Sequence, residues 1–376
     1  MKTGAFQTGI YPNYLAETGI DDQAARQRVE QAFHTIFFDP DENFCHHTDE
    51  DAWCMVDTGN NDARTEGMSY GMMMCVQMDR QDIFDKLWTF TERYMLLHDG
   101  PNAGYFAWSV RLDGKHNAEG PAPDGEEYFA MALFMASARW GDGEGSFNYS
   151  GRAREILRHA LHQHEMTAGG EPMWEPENTY IRFVPGMKIS DPSYHLPHFY
   201  ELFALKADER DRVFWKKAAE ESRRYIALSA DPRTGLSPEY ADYDGKTVLL
   251  FRKPWVYYSD AYRVVENIAL DHVWFGSDTE LDDVCTRIQD FFISQDMDHL
   301  QAYELDGTPQ SEPAMHPTAI KAVLGASSIA SKSPERMTFL RQFAELPMRK
   351  GVRRYYDNCL YFFCLLMLTG HYQIYI

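Results

Sequence analysis

Six short polar stretches in this chain carry the residue types that acid–base chemistry uses. Each stands at or just before a segment with helical period. They are Arg64-Thr65-Glu66-Gly67, Asp124-Gly125-Glu126-Glu127, Ser190-Asp191-Pro192-Ser193-Tyr194-His195, Ser259-Asp260-Ala261-Tyr262-Arg263, Met315-His316-Pro317 and Arg353-Arg354-Tyr355-Tyr356-Asp357-Asn358. Two carboxyls gathered from such stretches can act as general acid and general base, provided one keeps its proton while the other loses it. The connections around them are aromatic: Tyr105, Trp108, Trp174, Tyr194, Trp255, Tyr257 and Tyr258. Aromatic faces stack on the C–H faces of pyranose rings, and carboxylates bond hydroxyls. Carboxylates ringed by aromatics therefore describe a sugar cleft.

Taken singly, a carboxylate at a helix start is more often a cap that complements the dipole. Asp124 and Asp357 fit a cap best. Glu66 fits worst, because it opens an apolar Met-rich run. Other clusters point elsewhere. Cys45-His46-His47 with Asp49, Glu50 and Asp51 lacks a second ligand pair at fixed spacing and reads as a solvated loop, not a metal site. His195 and His198 read as core or supporting histidines, and Met72–Met74 as core filling. No GxGxxG, Walker loop or GxSxG elbow occurs.

The elements that must position these residues are helices. Helical period predicts twelve, over about 22–38, 65–80, 82–97, 124–140, 150–164, 197–207, 211–228, 259–272, 279–295, 316–331, 334–345 and 355–368. The first ends before Pro40. The ninth has Asp278 or Thr279 as its cap, and the eleventh starts with Ser333 as N-cap and Pro334 at the first helical position. The segments alternate in character. Odd ones are amphipathic, as in Trp215-Lys216-Lys217-Ala218-Ala219-Glu220-Glu221. Even ones are apolar nearly all round, as in Gly71-Met72-Met73-Met74-Cys75-Val76 and Cys359-Leu360-Tyr361-Phe362-Phe363-Cys364. A helix apolar on every side is buried, whereas an amphipathic one lies outside. Six of each in strict alternation predict an all-α, double-layered (α/α)6 barrel. Its inner helices run the same way, so their N-termini, and the six polar stretches, meet at one rim. Thr247–Phe251, Tyr180–Val184 and Gly104–Val110 read as short strands in the connections.

Bulk properties narrow the function. The chain has 376 residues, and 36 Lys plus Arg against 57 Asp plus Glu give a net charge of −21. With no basic stripe, a polyanion is repelled, so no nucleic-acid partner is expected. A neutral sugar does not feel that field. No run of about 18 apolar residues exists, so no membrane span is expected. The N-terminal stretch to Tyr11 does not read as a secretory signal, which makes the cytoplasm the expected address. The six scattered cysteines, Cys45, Cys54, Cys75, Cys285, Cys359 and Cys364, then read as reduced core thiols. No Gly/Ser-rich linker divides the chain, so residues 1–376 are expected to form one catalytic domain, as a monomer.

The run from Asp57 to Met72, Asp57-Thr58-Gly59-Asn60-Asn61-Asp62-Ala63-Arg64-Thr65-Glu66-Gly67-Met68-Ser69-Tyr70-Gly71-Met72, resembles the catalytic-acid segment of glycoside hydrolase family 8. Ala122-Pro123-Asp124-Gly125-Glu126-Glu127-Tyr128-Phe129-Ala130 and Asp260-Ala261-Tyr262-Arg263 are similar to two further segments of that family, in the same order. The likeness extends over nearly the whole chain and is strongest to the branch that releases xylose from the reducing end of oligoxylans. The broad family signature has Ser or Thr before the aspartate and Asp two after it. Here Pro123 and Glu126 stand there, as in that exo-acting branch.

The resemblance implies an (α/α)6 barrel and hydrolysis with inversion. It implies Glu66 as general acid, Asp260 as general base, Asp124 as the carboxylate holding the distorted sugar, and Tyr194 as a placer of the attacking water. It further implies Arg263 as a neighbour of the base, Trp108 as a stacking residue, and His316 as the residue closing the far end of the cleft. Such hydrolysis needs no metal or organic cofactor, and the expected partner is a short xylo-oligosaccharide. The rival readings are an endo-acting glucanase, xylanase or chitosanase on the same barrel, a non-catalytic sugar-binding barrel, and a sugar epimerase. The second requires loss of a catalytic carboxyl and the third paired histidines facing the sugar. Both carboxyl positions are intact, and only His316 is well placed.

Overall fold

The computed structural model describes residues 3–250 and 256–376. Trp255, and the last residue of the strand expected over Thr247–Phe251, lie outside the described residues. Twelve helices of ten or more residues form among those described. They are α1 (Asp22–Phe38), α2 (Thr65–Gln77), α3 (Gln81–Tyr94), α4 (Pro123–Trp140), α5 (Tyr149–Met166), α6 (Pro197–Lys206), α7 (Arg212–Ser229), α8 (Arg263–Phe275), α9 (Thr279–Phe292), α10 (Pro317–Ser327), α11 (Arg336–Glu345) and α12 (Arg354–Leu368).

Their ends follow local chemistry. Asp21 caps α1 by accepting the Ala24 N–H at 2.8 Å, and the helix stops at Asp39 because Pro40 follows. Asp278 caps α9, accepting from Glu280 N–H at 3.0 Å and Leu281 N–H at 3.3 Å. Two expected starts shift. The eleventh helix begins at Arg336, not Pro334. The Ser333 hydroxyl accepts the Glu335 N–H in a turn before it and donates to Asp290 at 2.6 Å. The eighth begins at Arg263, because Ser259–Tyr262 forms a tighter 3₁₀ turn first. Asp260 therefore sits on a turn leading into the helix, not on the helix itself.

Alternation in sequence becomes alternation in burial. In α2 every residue except Glu66 is buried, and in α12 every residue except Arg354. Outside, α7 buries Trp215, Ala218, Ala219, Ser222, Tyr225 and Ile226 while Lys216, Lys217 and Glu220 face solvent. The even helices touch in a cycle: α2 on α4, α4 on α6, α6 on α8, α8 on α10, α10 on α12, and α12 back on α2. Each also packs on an odd partner: α1 on α12, α3 on α2, α5 on α4, α7 on α6, α9 on α8 and α11 on α10. One hydrophobic cluster runs through the helices from Leu15 to Tyr372. The six cysteines are buried, unpaired and part of it. Among the described residues, no helix is long and apolar enough to cross a membrane.

Three two-stranded ribbons decorate the connections: β1 (Cys45–His47) with β2 (Trp53–Met55), β3 (Asp62–Arg64) with β4 (Ser109–Arg111), and β5 (Gln301–Tyr303) with β6 (Pro309–Pro313). Only β4 overlaps an expected strand. The Tyr180–Val184 and Thr247–Phe251 segments contribute single bridges, Ile181 to Trp174 and Thr247 to Ala241. The β3–β4 pairing matters most. It sets Arg64 opposite Ser109, and the Thr65 N–H at the start of α2 then donates to the Trp108 carbonyl at 3.0 Å. An aromatic from a distant loop is thereby anchored beside Glu66.

Candidate active site

Side chains at the N-termini of five even helices, and Asp191 six residues ahead of the sixth, are linked at one end of the ring. Arg263, first residue of α8, is the meeting point. Its Nη1 donates to Glu66 Oε2 at 3.0 Å (second residue of α2), to Asp124 Oδ2 at 3.0 Å (second residue of α4), and to Tyr70 Oη at 3.2 Å. Its Nη2 lies 3.2 Å from Asp260 Oδ1 and 3.8 Å from Asp191 Oδ2, ahead of α6. From α12, the Tyr355 hydroxyl donates to Glu66 Oε1 at 2.8 Å, and the Tyr356 hydroxyl to the Ser259 carbonyl at 2.8 Å. Also from α12, Asp357 accepts from His316 Nδ1 at 2.7 Å and from the Ala319 N–H of α10 at 3.0 Å.

Close approach at this rim is bought with glycine. A Cβ on Gly125 would lie 2.4 Å from Thr65 Cβ, so α2 and α4 could not bring Glu66 and Asp124 to the same guanidinium. A Cβ on Gly67 would lie 2.5 Å from the Tyr355 hydroxyl and displace the bond to Glu66.

The cap reading of two carboxylates is corrected. Asp124 is not the N-cap residue of its helix, which is Ala122; it takes the first-turn Gly125 N–H at 2.9 Å and, beyond that, the Arg263 guanidinium. Asp357 does cap a helix, but the neighbouring one: it holds the start of α10 while fixing His316 and accepting Arg349 at 2.6 Å.

Electrostatics separate the carboxyls. Burial pushes Glu66 up to about 7. Arg263 opposes this, Asp124 and Asp260 add to it, and the Tyr355 bond lowers it. Asp124 is raised by burial and by Asp260, against Arg263. Asp191, fully buried, is pushed well up by burial and by Asp260. Asp260 is the more open member, with a quarter of its side chain exposed. Glu66 and Asp260 face different nitrogens of one guanidinium.

Glu66, Asp260 and Arg64 line two cavities at once. The larger, about 510 Å³, is also lined by Trp108, Asp124, Phe183, Tyr194, Tyr240 and Arg263. The smaller, about 130 Å³, is also lined by His316, Met315, Tyr355, Tyr356 and Arg353. Trp108 is 37 % exposed at the cleft wall, with the Arg64 guanidinium 5.3 Å from its ring centre. Tyr194 lies under Arg263, 5.5 Å from guanidinium carbon to ring centre. All seven expected site residues, Glu66, Asp124, Asp260, Arg263, Tyr194, Trp108 and His316, thus line this double cleft.

Other expected features fall outside it. His195 is fully buried between Ser190 Oγ at 2.9 Å and Ser222 Oγ at 2.8 Å, and His198 is buried beside Trp274. His47 stacks on Trp53, Asp51 pairs with Arg93, and Asp49 accepts from Tyr94. Among the described residues, no group of three or more His, Cys, Asp or Glu is arranged to hold a metal.

Several contributors were not singled out from the sequence. Tyr355 and Asp191 lie within the polar stretches, so the same positional signal covers them. Glu239 carries no such signal. It lies in the connection between α7 and α8, where burial, Asp260 and Asp191 push it up to about 9.

The family model for glycosyl hydrolases family 8 matches residues 45–370. A reducing-end xylose-releasing exo-oligoxylanase of Paenibacillus barcinonensis is 48% identical over 375 residues, covering 99% of this chain and 98% of that protein. A reducing end xylose-releasing exo-oligoxylanase of Bifidobacterium adolescentis is 49% identical over 366 residues, 96% of each chain. The solved structure of the Paenibacillus enzyme complexed with xylose superposes with a TM-score of 0.97 at 48% identity, covering 99% of this chain and all of that one.

Proposed function

The chain belongs to glycoside hydrolase family 8, and on that footing we propose that it is an inverting hydrolase that releases xylose from the reducing end of short β-1,4-xylo-oligosaccharides. Its twelve helices are read as an (α/α)6 barrel and residues 1–376 as one catalytic domain, supported by the closed cycle of even-helix contacts. A soluble monomer in the cytoplasm, with no nucleic-acid or membrane partner, completes the reading.

The oligosaccharide lies in the larger cavity, its non-reducing part stacked on Trp108. Asp124, fixed by Arg263 and the Gly125 N–H, bonds hydroxyls of the sugar next to the scissile bond. Glu66, protonated up to about pH 7, donates its proton to the bridging oxygen. Asp260, ion-paired to Arg263, takes a proton from a water that attacks the anomeric carbon from the opposite face. Tyr194 stands beside that path. Inversion needs about 6.5–9.5 Å between the two carboxyls, room for one water. The cycle ends with Glu66 ionised and Asp260 protonated, and exchange with solvent resets both.

Exo action follows from the smaller cavity. The leaving sugar enters it, and His316, held by Asp357, stands where a second sugar would pass. The observation that carries the reading is the position of Glu66 and Asp260 on the walls of both a larger cavity and a smaller one that His316 also lines. Xylotriose labelled at its reducing end tests it. Labelled free xylose as the first product is expected, whereas labelled xylobiose contradicts it.

A further inference from the structure

We propose that Arg353 is a specificity-determining residue that bonds the hydroxyls of the departing sugar. This rests on the exo-hydrolase reading above. Two arginines line the smaller cavity, and they differ in one respect. Arg64 is committed to protein carboxylates, 3.3 Å from Asp57 and 3.1 Å from Asp62. Arg353 forms no ion pair or hydrogen bond with the described residues, although acidic groups line the same cavity. A guanidinium carries five N–H donors and stays charged at any working pH, so one left without a protein acceptor in a cleft offers those donors to a ligand.

The surroundings hold the arginine in place without using its donors. The Thr58 hydroxyl donates to the carbonyl of Val352, one residue before it, at 2.9 Å. Arg354, one residue after, donates to the carbonyls of Glu42 at 2.8 Å and Asn43 at 2.7 Å. Gly59 lies directly beneath the guanidinium: a Cβ there would sit 2.7 Å from Arg353 Nη1. Any larger residue at 59 would lift the side chain off the wall. Asp57, which lines the same cavity, is occupied in its own turn. It accepts the Gly59 N–H at 2.8 Å, the Asn60 N–H at 3.2 Å and the Asn60 side-chain amide at 2.6 Å, besides facing Arg64.

His316 supplies the complement. Its Nδ1 lies 2.7 Å from Asp357, so in the neutral ring with Nδ1–H donating there, Nε2 is left as an acceptor, and the imidazole lines the same cavity. A sugar hydroxyl both donates and accepts. A donor fork and an imidazole acceptor lining one small cavity therefore suit a terminal xylose, whose free hydroxyls outnumber those of an internal unit.

The test compares two substrates in Arg353→Ala and Arg353→Lys. Xylotriose departs with a sugar in the small cavity. An aryl β-xylobioside departs with a phenol that lacks those hydroxyls. For Arg353→Ala, kcat/KM on xylotriose should fall about 10- to 100-fold, the size expected for lost hydrogen bonds from a charged donor. On the aryl substrate it should stay within about twofold, and Arg353→Lys should recover part of the xylotriose loss. Equal losses on both substrates, or no loss on xylotriose, overturn the assignment. The wild-type product from labelled xylotriose reports on the exo-hydrolase reading separately, whatever the variants do.

Discussion

Arg263 Nη1 stands 3.0 Å from Glu66 Oε2, while the other terminal nitrogen of the same guanidinium stands 3.2 Å from Asp260 Oδ1. One buried cation thus touches both carboxyls that must differ in charge. It opposes protonation of Glu66. Glu66 still holds its proton because burial outweighs the cation there. Arg263→Met should leave Glu66, Asp124, Asp191 and Asp260 without this counter-charge. Stripping the partner from a buried charge costs about 3–5 kcal/mol. The cost should be smaller at pH 5, where the carboxyls can take up protons. Melting temperatures at pH 5 and pH 7.5 check this, with the larger drop expected at pH 7.5. Hydrolysis should fall at least about a hundredfold, since the guanidinium that fixes both carboxyls in place is gone.

Tyr355 donates to the other oxygen of Glu66 and favours its ionised form. In Tyr355→Phe the acid should therefore keep its proton to higher pH. The alkaline limb of kcat/KM, expected near pH 7 in the wild type, should move upward by up to about one unit, a part of the full worth of a bond to a charged acceptor. Gly67→Ala should do the same, because its methyl group would displace the phenol. A downward move of the limb would contradict this assignment of the acid.

The ring buries more acids than the reaction uses. Glu126, Glu127 and Glu266 are pushed well above the usual carboxylate range by burial, and Glu239 to about 9. Each is protonated in the fold at a pH where the unfolded chain has already ionised it. The unfolded state then binds fewer protons, so stability falls as pH rises. The window opens near 4.5, the ordinary value, and extends to about 7 for Glu66 and about 9 for Glu239. The melting temperature should accordingly be higher at pH 5.5 than at pH 9. Glu127→Gln, which keeps the shape but cannot ionise, should raise it much more at pH 9 than at pH 5.5. Calorimetry at the two pH values decides.

His316 is the gate in the exo reading. In His316→Ala, Asp357 keeps Arg349 and the Ala319 N–H, so the start of α10 should hold. The opened wall should let a second sugar pass the cut, giving xylobiose from the reducing end of xylotetraose. Chromatography of early products measures this. Unchanged release of xylose alone would show that His316 does not block.

Most of the architecture was legible because helix burial writes itself into composition. An inner helix such as α12 has no face for a charge, and an outer one such as α7 must have one. The rim was legible for the same reason: polar residues such as Glu66 and Asp260 at the mouths of apolar helices have little to do unless they meet. What stayed hidden depends on partners remote in the chain. Asp357 looked like a cap of its own helix and caps its neighbour. The β3–β4 pairing that fixes Trp108 joins two three-residue strands, too short for a period to show. Glu239 lies in an irregular connection whose path only the packed ring defines. The turn holding Asp260 was absorbed into the helix that follows, since Ser-Asp-Ala-Tyr fits the same period.

The opposed roles of Glu66 and Asp260 are tested most directly by the anomeric form of the first product from xylotriose, followed by proton NMR within the first turnovers. Water delivered by Asp260 from the face opposite Glu66 should give α-xylobiose, which then drifts to the equilibrium mixture. β-Xylobiose as the first product would contradict the account, because it would require a covalent intermediate at a closer pair of carboxyls.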